Sequence, residues 1–140
     1  MKKIFFISIL LNVFFFTSFS QEMPDLTDQN RLAVLWTSGD KEVAEKVCMM
    51  YTHAAKTNEW FDEVVFIIWG PSSKLLIEDK DLQTKVKAMM DDGVIVEACI
   101  ACAGLYGIID ELRSLGMEVK PMGEPLSGFL KDPNTKVLTF

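Results

Sequence analysis

After residue 20 the chain has no long apolar run, and its 140 residues include one histidine, three cysteines and five prolines. Each shortage excludes something. A bilayer-spanning helix needs ~20 apolar residues, and no segment past the first twenty approaches that. Basic residues are outnumbered, fourteen Lys and Arg against twenty Asp and Glu, and the formal charge of −6 has the wrong sign for neutralising phosphates along a nucleic acid. Cys48, Cys99, Cys102 and His53 have the ligand types of a zinc site but no recognised spacing, so neither metal nor cofactor is expected. The chain also lacks a Ser-His-Asp order, a Walker loop and a Gly-x-Gly-x-x-Gly run, which leaves hydrolase, nucleotidase and dinucleotide readings without support. What remains is an ordinary globular composition, 49% hydrophobic and 24% charged, of a length that suits one folded domain.

The amino terminus reads separately from that domain. Lys2 and Lys3 precede an apolar run from Ile4 to Phe16, and Ser18-Phe19-Ser20 forms a small-x-small site before Gln21. Residues 1–20 are therefore expected to be a secretory signal peptide, with the mature protein exported to a bacterial periplasm or secreted. No cysteine follows the cleavage site to carry a lipid anchor, and losing Lys2 and Lys3 makes the mature chain more acidic still. Residues 21–30 are polar, contain Pro24 and show no period, the pattern of a flexible leader. The domain is expected to occupy residues 31–140.

Within the domain, apolar runs alternate with helical periods. Leu32 to Trp36 is a continuous apolar run closed by Thr37-Ser38-Gly39-Asp40, as expected for a strand buried on both faces. Val43, Val47, Met50, Tyr51 and Ala54 then trace one helix face, with Cys48 packed beside it and His53 on the solvent side. Val64 to Trp69 predicts a second strand stopped by Gly70-Pro71, followed by a helix on Leu82, Val86, Met89 and Met90. Val94 to Ala98 predicts a third strand, and Leu105, Ile108, Ile109, Leu112 and Leu115 a single helix closed by Gly116. Met117 to Lys120 and Lys136 to Phe140 predict two short final strands, with a helical turn around Leu126 to Leu130 between them. The expected architecture is α/β: a three-layer sandwich around a mostly parallel sheet of about five strands.

Ligands of such sheets bind beyond the carboxyl ends of the strands. At the third of these ends Cys99 and Cys102 form a Cys-x-x-Cys pair at a strand-to-helix junction. A thiol there faces helix amides, which favour the thiolate, so Cys99 is expected to be the reactive residue and Cys102, one turn farther in, the less accessible resolving thiol. Trp36, Ser38 and Gly39 follow the first strand, Trp69 and Gly70 the second, and Gly123 the fourth. They are the candidate pocket residues, with the two tryptophans as apolar walls above the thiol. Gly104 and Gly107 in the early turns of the next helix suggest either close approach of a ligand or tight helix packing.

The segments LAVLWTSGD, VVFIIWGPSS, DGVIVEACIACA, LGMEV and KVLTF, spread from Arg31 to Phe140, resemble the DsrE/DsrF-like family of small sulfur-relay proteins. The resemblance implies an α/β fold, a homo-oligomer with its site near a subunit interface, and a sulfur donor or acceptor protein as partner. The position matching the family's persulfide-bearing cysteine is Cys99. Residues i and i+3 at a helix start also come within disulfide range, so a dithiol–disulfide protein using Cys99 and Cys102 stands as an alternative. A non-catalytic oligomeric ligand-binding module is the third reading.

Overall fold

The computed structural model describes residues 31–140; the signal peptide and leader expected at 1–20 and 21–30 lie outside the described residues. Five strands form one sheet: β1 (Arg31–Trp36), β2 (Glu63–Ile68), β3 (Ile95–Cys99), β4 (Glu118–Lys120) and β5 (Thr135–Thr139). Their order is β4-β3-β2-β1-β5, and every pairing is parallel. Parallel neighbours need crossovers, and the helices supply them. They are α1 (residues 41–57), α2 (Pro71–Glu78), α3 (Lys80–Asp91), α4 (Ile100–Tyr106), α5 (Ile109–Ser114) and α6 (Gly123–Lys131). The first four strands progress in one direction across the sheet, so right-handed crossovers place α1 to α5 on one face. The return from β4 at one edge to β5 at the other lays α6 on the opposite face. The chain is a three-layer α/β sandwich with unequal outer layers.

Strand alternation divides the interior accordingly. Leu32, Val34, Trp36, Val64, Phe66, Ile68, Val96 and Ala98 face the five-helix layer and meet Ala44, Cys48, Leu76, Leu82, Val86, Met89, Ala103 and Leu112. Ala33, Val65, Ile67 and Cys99 face the other way, against Met122, Leu126 and Phe129 from around α6. At the amino end of this thinner layer the Arg31 guanidinium lies 5.5 Å from the Phe129 ring centroid. None of the helices among the described residues is long and apolar enough to cross a membrane.

Three helices depart from the sequence expectation, each for a physical reason. α1 starts where Asp40 accepts hydrogen bonds from the Glu42 and Val43 amides at 2.8 and 3.0 Å, but its stretch Ala44–Met49 is π-helical. The wider turns shift the buried face to Ala44, Cys48, Met49, Thr52 and Ala55, so Val47 and Met50 of the expected stripe are 40% and 64% exposed. Small residues let the helix lie close to the sheet. The helix expected on Leu82 is preceded by a separate one, because Pro71 stands at the first position of α2, where its missing N–H costs nothing, and Asp79 recaps α3. Finally, the single helix expected over Leu105 to Leu115 is two. Gly107 adopts φ +68°, a left-handed conformation that ends α4 after seven residues.

Candidate functional site

Strand β3 carries Cys99 to its carboxyl end, on the thinner face of the sheet. There the side chain is packed among Ala33, Val65, Ile67 and Met122, with Trp69, Cys102 and Leu126 partly buried around it. Cys99 also caps α4 with extended backbone (φ −73°, ψ 113°), and the first turn of that helix brings Cys102 back over it. Both thiols are free, and Cys102 packs against the cluster that holds Cys99. The neighbouring strand's turn also acts on this pair: the Gly70 amide favours the Cys102 thiolate. Gly70 holds φ +69° and ψ −133°, which a residue with a side chain rarely adopts. A Cβ there would meet nothing within 4 Å among the described residues, so it is the backbone conformation alone that calls for glycine.

Accessibility runs opposite to the sequence expectation. Cys99 is 4% exposed, whereas Cys102, expected to lie farther in, is half-buried and is the outer thiol of the pair. The reason is the parity of the strand: Cys99 points into the α6-side layer, while Cys102 rides on a helix that projects beyond the sheet. The short α4 also carries a weaker dipole than the continuous helix expected. Burial, and then the hydrogen bond with Cys99, raise the Cys102 pKa, against the Gly70 amide and its own amide, which lower it. Cys48 sits in the main core and burial pushes its thiol up to about 12. With a limiting alkylating reagent on reduced native protein, Cys102 is expected to label before Cys99 and Cys48 last. Labelling of Cys102 should still be rising above pH 9.0, the ordinary thiol value. Peptide mapping across pH checks both statements, and a first label on Cys48 would contradict the packing.

The remaining candidates separate into two groups. Trp69 packs against the cluster that contains Cys99, and the Gly70 amide acts on Cys102. Trp36 does not wall a pocket above them: it is fully buried on the five-helix face and stacks on Phe66 with centroids 5.8 Å apart. Ser38 and Gly39 form the loop into α1, where the Ser38 hydroxyl accepts from the Asp40 amide at 3.1 Å and a Cβ on Gly39 would touch Pro71 at 3.4 Å. Gly123 is exposed at the start of α6, next to Met122, which packs against Cys99. Gly104 is exposed and a Cβ there would make an ordinary contact with Ile109 Cδ1 at 3.7 Å, so tight helix packing does not account for it, while Gly107 serves the helix end.

Two charged residues beside Cys99 were not singled out from the sequence. Glu97 lies two residues earlier on the same face and is 6% exposed; one carboxylate oxygen accepts from Lys120 Nζ at 2.6 Å and the other is buried without a partner among the described residues. Lys120 is the register partner of Cys99 across β3 and β4 and also reaches Glu118 at 2.8 Å. The available signal was the glutamate in the apolar run Val94 to Ala98, because a charge inside a buried strand requires a partner. A cleft of about 690 Å³ between α3 and α5, lined by Gln83, Val86, Lys87, Met90 and Leu115 among others, includes neither thiol.

Fold and site together define a small parallel α/β protein with a contacting thiol pair at the carboxyl end of an inner strand. No protein-family profile and no curated protein matches the chain. Among solved structures, the conserved protein of unknown function BT1422 from Bacteroides thetaiotaomicron is 32% identical, with a TM-score of 0.75 over 79% of this chain and 95% of that one. The chain belongs to the same family as that protein. The ychN protein from E. coli, 18% identical with a TM-score of 0.59, shares the fold over 80% of this chain and 99% of its own.

Proposed function

We propose that this protein is an exported carrier of sulfane sulfur, held as a persulfide on Cys99. The observation that supports it is the thiol pair itself: Cys99 and Cys102 in contact, both free, between Trp69 and Met122 at the strand ends where ligands of α/β sheets bind. A persulfide needs shelter from water and from competing thiols, and the 4% exposure of Cys99 provides that. The resemblance of the strand and loop segments to DsrE/DsrF-like proteins points to the same residue, and with it to a homo-oligomer working with a sulfur donor or acceptor protein. The contact between the thiols also favours a second reading, a dithiol–disulfide couple using the same two residues.

Intact mass of protein from its native compartment, taken with and without reductant, separates the two. The carrier gains one sulfur atom, removable by reductant and mapped to Cys99, and Cys99→Ser abolishes the gain. A redox couple instead loses two hydrogens to a Cys99–Cys102 disulfide. Native protein that carries neither modification, and that stays unmodified after exposure to a low-molecular-weight persulfide, would overturn the carrier reading.

A further inference from the structure

Resting on the carrier reading, we propose that Cys102 is the receiving thiol: sulfur from an external persulfide lands on Cys102 first and passes inward to Cys99. The burial of the two residues carries the argument. Exchange at a sulfur requires the attacking thiolate, the sulfur attacked and the leaving sulfur to lie nearly in line, so a donor must extend outward from the attacking thiol. Cys99, 4% exposed and clustered with Ala33, Val65, Ile67 and Met122, offers almost no surface for such an approach. Cys102 is half-buried and keeps solvent-exposed surface from which a donor can extend. It also touches Cys99, and positions i and i+3 on a helical turn are about 5–6 Å apart at Cβ, within reach of a bridging sulfur atom.

The chemistry balances without an oxidant or reductant. In the first step the Cys102 thiolate attacks the outer sulfur of R–S–SH; the S–S bond of the donor breaks, a Cys102 S–S bond forms, and R–S⁻ leaves to take up the proton Cys102 gave. In the second step the Cys99 thiolate attacks that outer sulfur, a Cys99 S–S bond forms, and the bond to Cys102 breaks. The proton from Cys99 ends on Cys102. The Cys102 thiolate is the leaving group, and the Gly70 amide and its own amide favour the charged form of that sulfur. Contact between the thiols makes the transfer intramolecular, which is where its rate advantage lies.

The test uses glutathione persulfide on the reduced full-length mature protein, with rapid quench, intact mass and peptide mapping. In the unaltered chain the added sulfur is expected on Cys102 at the earliest times and on Cys99 at the end. Cys99→Ser should trap it on Cys102. Cys102→Ser, and Cys102→Ala as a second variant, should load Cys99 on the order of tenfold or more slowly. Loading of Cys99 at the unaltered rate in either Cys102 variant, or sulfur on Cys99 from the earliest time point in the unaltered chain, overturns the proposal while leaving the carrier reading intact. Expulsion of hydrosulfide with a Cys99–Cys102 disulfide also overturns it. Absence of added sulfur from both residues overturns the carrier reading and this proposal with it.

Discussion

Lys120→Met is expected to destabilise the protein by about 3 kcal/mol, the lower end of the cost of breaking a buried ion pair by removing one partner. Glu97 is 6% exposed and takes its hydrogen bond from Lys120 Nζ, so the variant leaves a buried carboxylate with neither a cation nor, at its second oxygen, any donor. The lower end applies because the Lys120 side chain keeps 29% of its surface and shares its charge with Glu118. The double change Glu97→Gln with Lys120→Met should recover most of the loss, since it removes the charge that needs compensation. Urea titration of the three proteins measures this, and a double variant no more stable than the single one would show that the lysine acts through its packing. The unaltered protein has a pH signature of the same pair. Hydrogen bonds to Glu118 and then Glu97 raise the Lys120 pKa above 10.5, so its contribution is complete below that value and disappears as pH climbs through the higher folded value. The Lys120→Met variant should lack that alkaline loss.

The limits of the sequence reading follow from what periodicity encodes. β1, β2 and β3 are legible as mainly apolar runs bounded by turn residues, which also places Cys99 at a strand end, whereas β4 and β5 are short, mixed segments marked by their flanking glycine and prolines. Gly116, expected to close a helix, does so at φ +91°. Helix faces were harder. The stripe on Val43, Val47 and Met50 is a sound 3.6-residue pattern, but the π-helical turns of Ala44–Met49 change the period at that point. The two tryptophans failed for a different reason. Each ends a strand, yet the register pairs Trp36 with Ile68, so Trp69 lies one residue beyond and faces the opposite side of the sheet. Register between strands belongs to neither strand alone. The relative depth of Cys99 and Cys102 has the same origin, since it depends on which layer β3 turns its odd-numbered residues toward. Glu97 and Lys120 are twenty-three residues apart and become neighbours only when β4 pairs with β3.

Trp36 offers the other large effect, and its size depends on the replacement. Trp36→Ala should cost about 3–5 kcal/mol, as for other fully buried aromatic side chains, because the five-helix layer cannot close over the gap left beside Phe66. Trp36→Phe should be nearly neutral. The smaller ring gives up roughly 1 kcal/mol of apolar burial. Against that, the indole Nε1 is buried without an acceptor among the described residues, a group whose desolvation costs about 1–3 kcal/mol and which phenylalanine lacks. The ring can keep its near-parallel stack on Phe66, now at an interplanar angle of 17°. The strand end is held independently of the side chain: the Trp36 carbonyl accepts from Ser72 Oγ at 2.6 Å and from the Trp69 amide at 3.0 Å. The substitution should therefore leave the turn that presents Gly70 to Cys102 in place, and the order of cysteine labelling with it. Denaturant unfolding of both variants decides: a Trp36→Phe loss as large as that of Trp36→Ala would mean that the indole N–H has an acceptor, and that Trp36 holds the strand end through it.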